Sequence, residues 1–381
     1  MGKVVIGMIG TGFAGRFHVH NYLRTYNAEV VFKAVAGSNL AKTESFAKEF
    51  GFKTWVDNYQ KLLEDPEINV IDIVTPPHLH APMIIDALNA GKHVITEKPL
   101  TGYFKEKTDG KAMYEAVEAE IAKIEVAEKN SGKYVMYAEN WVYAPGVQKS
   151  VELLNRQKGK LLYMHAEESH SGSHAHHAAN WKYNGGGALI RQGCHPVSAL
   201  LYLKSAEAAV RGEQIGLKSV TCDVGFVTAC LSDAEKTHID ARPVDVEDIA
   251  DLLITFTDNT KAHIVSADML LGGMKNCIDL YLNNAVHRFK MNPNDTFMAY
   301  HPEANVLDDV FFTEKLGVKS GWQYLAVSDD VVRGYVDEFQ DFVECVALNR
   351  KPVSGLKLAG DTLRVIYAGY RSALEGRRID F

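Results

Sequence analysis

The 381-residue chain contains no apolar run long enough to cross a bilayer, which excludes a helical membrane protein. It has no tract of five or more basic residues and a formal net charge of −7, so nucleic acid is not expected as a main partner. Cysteine is sparse. The five (Cys194, Cys222, Cys230, Cys277 and Cys345) form no C-x-x-C pair. An odd, scattered set builds no disulfide framework and suits a reducing compartment, so a cytoplasmic location is expected. The opening "MGKVVIGMIG" lacks the three-part layout of a secretory signal. Gly2, followed by Lys3 and Val4, reads as ordinary sequence and not as an acylation site. Repeats and low-complexity linkers are missing too. What is there, 46% hydrophobic and 23% charged residues, reads as a soluble globular protein whose length suits two or three domains.

The first hundred residues alternate between two patterns. "KVVIGMIG", "VVFKAVAG", "INVIDIVTPP" and "KHVITEKP" are buried-strand runs. Between them lie helical stretches from Ala14 to Tyr26, in "AKTESFAKEFG" and in "APMIIDALNAG". This alternation predicts an α/β domain with a parallel sheet and crossover helices. A charged helix over 105–131 and a strand in "KYVMYAEN" follow, and the pattern changes after Tyr143. A helix over 145–156 leads to "KLLYMHAEES", and another helix begins near Gly193. From 219 to 290 the runs "SVTCDVGFVTACL", "IADLLITFT", "KAHIVSADMLL" and "CIDLYLN" have few helical patterns between them, which predicts an α+β domain on a large open, mostly antiparallel sheet. Helical patterns over 331–349 and 359–375 close the chain.

"GTGFAGRFHVH" carries G-x-G-x-x-G at Gly10, Gly12 and Gly15, with Phe13 and Ala14 between them. The first glycine permits a tight turn, the second leaves room for a pyrophosphate, and the third lets the helix pack on the strand. The strand before and the helix after make this a dinucleotide cradle. The acidic residue that would hold an NAD ribose about 20 residues further on is missing. "AGSNLAK" offers Ser38, Asn39 and Lys42 instead. Lys42 either meets a 2′-phosphate, which leans the cofactor from NAD towards NADP, or is a solvated helix residue.

Three more stretches stand out: "TPPHLHAP" (75–82), "GKHVITEKPL" (91–100) and "GGGALIRQGCHPVSALLYL" (185–203). With the glycine motif, "YAENWVYAPGVQ" and "RVIYAGYRSALEGRRID", they resemble the glucose–fructose oxidoreductase / inositol dehydrogenase / rhizopine catabolism (Gfo/Idh/MocA) family over nearly the full length. The resemblance implies a Rossmann domain over 1–140. A substrate-binding and oligomerisation domain over 141–381 would follow, with C-terminal helices packing back on the first domain. It implies a homodimer or homotetramer, and reversible oxidation of a secondary alcohol on a sugar, polyol or sugar acid by NAD or NADP. The family's catalytic lysine falls on Lys98 and its histidine on His195. Thr75, Pro76, His78, His80, Glu97, Lys98 and Asn140 fall on cofactor-facing segments. Chemistry agrees: hydride transfer from a carbinol needs a base near neutrality, which suits histidine, and a lysine to steady the oxygen.

Two features depart from the family pattern. Where an aspartate usually precedes the histidine by four residues, this chain has Arg191, followed by Gln192. On one helix Arg191 and His195 would share a face. Either Arg191 binds a substrate carboxylate in two-pronged fashion, or it pairs internally with an acidic residue. The second feature is "EESHSGSHAHHAANW". No metal is expected there, since no cysteine lies among the histidines. His170 and His174 are candidates for substrate contact, against a surface loop with spare histidines. Trp181 is a candidate for stacking on a sugar, against core packing. Two other functions stay open: a sugar-modifying enzyme with tightly bound NAD and transient oxidation (elimination, epimerisation or hydrolysis), and a dinucleotide-binding regulator.

Overall fold

The computed structural model describes residues 2–173, 176–292, 297–303, 320–324 and 328–381. The chain divides into two compact units. The first comprises Met1–Glu139, Lys182–Gly185 and Val336–Tyr367; the second comprises Asn140–Trp181, Gly186–Tyr335 and Ala368–Phe381.

The first unit alternates β1 (Lys3–Ile9), α1 (Phe13–Tyr22), β2 (Glu29–Ala36), α2 (Leu40–Phe50), β3 (Thr54–Val56), α3 (Gln60–Glu64), β4 (Val70–Ile73), α4 (His80–Asn89), β5 (His93–Glu97), α5 (Gly110–Ser131) and β6 (Val135–Ala138). The six strands pair in parallel in the order β3-β2-β1-β4-β5-β6. β4 and β6 are buried along their whole length, as a sheet covered on both faces requires. Helix ends follow the sequence. Asn39 and Asp109 cap α2 and α5 by accepting the amides of Lys42 and Ala112. Gly51 and Gly132 stop the same helices with positive φ. The helix expected over 105–131 therefore starts at Gly110, one residue past its cap.

The second unit begins with α6 (Pro145–Gln157) and β7 (Leu161–Ser169). α7 (Trp181–Asn184) begins at the end of one stretch of the second unit and falls otherwise in the first. The second unit then holds α8 (Ala188–Arg191), α9 (Cys194–Arg211), β8 (Leu217–Gly225), β9 (Ile249–Phe256), β10 (Lys261–Ala267), β11 (Lys275–Leu282), β12 (Val286–Lys290), β13 (Met298–His301), β14 (Gly321–Tyr324) and α10 (Asp329–Val332). α11 (Tyr335–Leu348) and α12 (Leu356–Glu375) follow, and β15 (Ile379–Asp380) closes the chain. The main sheet runs β12-β11-β7-β10-β9-β8-β15. Its pairs are antiparallel except β7 with β10, so the expected open sheet is mixed, though mostly antiparallel. β9 buries Ala250, Leu252, Ile254 and Phe256 while Asp251 between them is exposed, the period-two signature of a one-sided sheet. The run "SVTCDVGFVTACL" is not one strand: β8 ends at Gly225, and Val227–Cys230 turn into a 3₁₀ helix held by Asp248. Among the described residues no helix is long and apolar enough to cross a membrane.

Candidate functional site

β1 delivers the chain to Gly10, whose φ is +116°, a conformation that favours glycine. A Cβ there would also stand 2.7 Å from the Val74 carbonyl oxygen. Gly12 is the N-cap of α1, and a Cβ on it would meet nothing within 4 Å, so the space before the helix is open. Gly15 lets α1 lie close, since a Cβ there would be 3.0 Å from the Gly10 carbonyl oxygen. The first turn of α1 has neither an acidic residue nor a side-chain cap. Its free N–H groups thus present positive potential to that open space, which fits a pyrophosphate. Phe13 is exposed and stacks with Phe17; Ala14 is half-buried. At the end of β2, Asn39 is engaged as the cap of α2, Ser38 is exposed, and Lys42 gives its backbone N–H to Asn39 while its residue stays exposed.

Thr75, Pro76 and His78 lie just past β4, and Lys98 just past β5, all at the carboxyl end of the parallel sheet. Thr75 Oγ1 approaches Met83 Sδ at 3.7 Å, and the ring of His78 packs beside Phe104 and Tyr183. His80 differs from expectation. It is fully buried, with Nδ1 and Nε2 each 2.8 Å from a backbone carbonyl, of Pro99 and Thr75 respectively. It ties one loop to the other, with both ring nitrogens engaged by main-chain carbonyls. Burial also lowers its pKa below the ordinary histidine value.

Behind Lys98 lies a cluster that sequence reading missed. His18, on the buried face of α1, sits with Nδ1 3.0 Å from both carboxylate oxygens of Asp72 and Nε2 3.3 Å from Glu97 Oε1. Tyr22 donates to Asp72 at 3.0 Å. Burial pulls the His18 pKa down, but Asp72 and Glu97 outweigh it and raise it to about 10. Burial pushes the Glu97 carboxyl up, but His18 and then Lys98 outweigh it and hold it below the ordinary carboxylate value. A histidine pKa raised on folding adds stability that is complete below pH ~6.5 and fades as pH rises through about 10. Urea unfolding midpoints across that window are expected to fall for the wild type and to flatten for His18→Gln.

In the second unit, three groups converge on the buried Asp268 at the end of β10. Arg191 Nη1 donates to Oδ2 at 2.7 Å, the Gln192 amide donates to Oδ1, and His170 Nδ1 stands 3.8 Å away. His170 Nε2 lies 3.0 Å from Gln192 Nε2, and its Nδ1 accepts the Gly172 amide. Arg191 thus has an internal acidic partner. It does not share a helix with His195: α8 ends at Arg191 and α9 starts at Cys194. Pro196 has no N–H for the Gln192 carbonyl, which takes the His195 amide instead. Gly193 in the break is required by space, because a Cβ would collide with the Leu189 carbonyl oxygen.

His195 is 4% exposed and stacks on Trp141, ring centroids 6.0 Å apart. Trp181 is a core residue, 4% exposed and edge-on to Tyr370, so burial removes it as a stacking platform. Asn140 is equally buried and donates to the Arg333 carbonyl at 2.7 Å, which leaves this amide turned inward. His174 lies outside the described residues. The triple-glycine element is pinned by Glu247, whose Oε1 accepts Gly187 N, Leu189 N and the Tyr370 hydroxyl at 2.9, 3.0 and 2.7 Å.

Beside Arg191 opens a cleft of about 590 Å³, with Ser173, Asn180, Asp240, Arg242 and Asp268 in its lining. Its far wall comes from the long segment 226–248 between β8 and β9. Backbone amides of Asp240 and Ala241 bond the Ser171 carbonyl, and Val244 bonds Ala179. Charged groups on the lining form hydrogen bonds within the protein. Ser171 donates to Asp240, Arg242 donates to the Ala241 carbonyl, and Asp248 accepts from Val227 and Thr228.

A parallel sheet in this strand order, with a glycine cradle at β1–α1, defines a dinucleotide-binding domain of the Rossmann class. The first unit matches the model "Oxidoreductase family, NAD-binding Rossmann fold" over residues 4–127, and the second matches "GFO/IDH/MocA C-terminal domain" over 152–285. The chain belongs to the Gfo/Idh/MocA family. It is 38% identical over 123 residues to levoglucosan dehydrogenase of Pseudarthrobacter phenanthrenivorans, covering 31% of each chain. It is 35% identical over 100 residues to scyllo-inositol 2-dehydrogenase (NAD(+)) of Bacillus subtilis, covering 26% of this chain and 29% of that one. These matches span roughly a third of the curated relatives' own length. In fold it is similar to GenD2 from gentamicin A biosynthesis, solved in complex with NAD (TM-score 0.79, 20% identity, 100% of this chain and 97% of that one).

Proposed function

We propose that this chain is an NAD-dependent oxidoreductase that moves a hydride to or from a secondary hydroxyl carbon of a neutral sugar or polyol. The observation that carries the reading is the first unit's pairing of the glycine cradle with Lys98 at one end of one parallel sheet, the end where open α/β sheets bind ligands. Bound there, the cofactor supplies the nicotinamide that accepts or gives the hydride. NAD is favoured because GenD2 and levoglucosan dehydrogenase were solved with NAD and NADH. The lean towards NADP rested on Lys42 alone and gains no support from these relatives. In this reading the Lys98 ammonium holds the carbinol oxygen as negative charge develops on it, and the His195 imidazole takes the hydroxyl proton. Levoglucosan, an uncharged sugar, is the ligand of one fold relative.

A neutral substrate, not a carboxylated one, is supported by the Arg191–Asp268 pair, which gives the guanidinium an acidic partner inside the protein. The test is nicotinamide absorbance with NAD and a panel of polyols, neutral sugars, uronates and aldonates. Neutral compounds are expected to lead the acids by about tenfold or more in kcat/KM. Asp268→Ala is expected to narrow that gap by releasing Arg191 to an acidic ligand. No absorbance change with any compound, or a wild-type preference for acids, would overturn the reading.

A further inference from the structure

We infer that His18 is a positioning residue for Lys98, acting through Glu97. The inference rests on the proposed role of Lys98 and names a residue on which that role depends. Both ring nitrogens of His18 face carboxylates: Nδ1 faces Asp72 on β4, and Nε2 faces Glu97 at the end of β5. A ring that donates from both nitrogens is an imidazolium. Glu97 uses its two oxygens in opposite directions. Oε1 faces His18, and Oε2 accepts the Lys98 backbone N–H at 2.9 Å. The carboxylate is thus a rigid link from a buried cation in α1 to the main chain of Lys98, and its charge also bears on the Lys98 ammonium.

The remaining surroundings pack closely on His18 and Asp72. Phe339 of α11 meets its ring edge-on at 4.7 Å, and Tyr22 secures Asp72 from the other side. Glu338 of α11 is buried beside the same cluster; burial pushes its carboxyl well above the ordinary range, His18 pulls it down, and Glu97, Glu139 and Asp72 push it further up. Asp72 and His18 are 0% and 1% exposed. A buried cation between two carboxylates is costly to assemble and strongly directional once made. Here its direction ends at the residue the proposed chemistry uses.

The experiment compares wild type and His18→Gln as full-length protein with NAD bound. Lysines are reductively methylated with a carbon-13 label, and the Lys98 resonance is assigned by its loss in Lys98→Arg. With the imidazolium gone, the Glu97 charge has Lys98 as its adjacent cation, so the Lys98 titration is expected to move up by about half a pH unit or more. kcat is expected to fall by about tenfold, with NAD affinity held. Glu97→Gln removes the charge and keeps an acceptor. It should move the Lys98 titration down, and it serves where His18→Gln does not fold. A folded His18→Gln that loses stability but leaves the Lys98 titration and kcat at wild-type values overturns the inference, because a merely structural role predicts that pattern. If the wild type binds NAD but turns over no sugar, the proposed function fails, and the titration still judges the link between His18 and Lys98.

Discussion

Lys98→Met is expected to lower kcat by about a thousandfold while changing NAD affinity by less than about twofold. Methionine keeps the length and flexibility of the side chain and removes only the ammonium. Lys98 follows β5 at the sheet's carboxyl end, half-buried and next to a carboxylate already committed to His18. Its loss removes the charge that would steady an alkoxide and leaves the glycine cradle untouched. Steady-state turnover with the best substrate of the panel, alongside NADH fluorescence titration, separates the two effects. A variant that turns over at the wild-type rate would remove Lys98 from the chemistry.

The largest expected loss of stability comes from Glu247→Ala. A single buried oxygen of Glu247 accepts two backbone amides of the triple-glycine element and the Tyr370 hydroxyl. Removing it orphans three buried donors at about 1–3 kcal/mol each, so a cost of about 4 kcal/mol is expected. Glu247→Gln keeps an acceptor at the same place and should lose much less. Urea unfolding followed by circular dichroism measures both. A Glu247→Ala midpoint equal to wild type would show that this element does not depend on the carboxylate.

The first unit could be read from the sequence because its signals are local. Buried runs of four to eight residues, glycine stops and Asn or Asp caps each act within one turn of chain, and the strand order follows from a few packing rules. The mixed sheet was also visible as period-two runs, since one face is buried and the other is not. The parallel β7–β10 pair was hidden because the two strands are about a hundred residues apart in sequence and nothing in either run states direction.

The site was only partly legible. The glycine turn and Lys98 stand in motifs, whereas the partners that define their neighbourhood come from distant strands. Asp268 follows β10 as one carboxylate among many, and no spacing linked it to Arg191, 77 residues earlier. His18 and Asp72 left a fainter trace. A charged residue in the middle of "VIDIV" and a histidine on the helix face that packs against it are polar groups where apolar ones are due, which marks a buried pair. The helix start near Gly193 was legible, but that it parts Arg191 from His195 was not, because Pro196 acts backwards, on a carbonyl four residues upstream. Trp181 was a candidate by residue type and Asn140 by the family resemblance, and neither source foretold their burial.

The segment 226–248 is joined to its neighbours around 171 and 179 by main-chain bonds. Peptide groups make such bonds whatever side chains they carry. Apart from Asp240, Glu247 and Asp248, whose carboxylates anchor neighbouring groups, the side chains of this rim can therefore change without disturbing the ladder from β8 to β9 beneath it. A stretch held in this way keeps its course over the sheet while its exposed side chains vary.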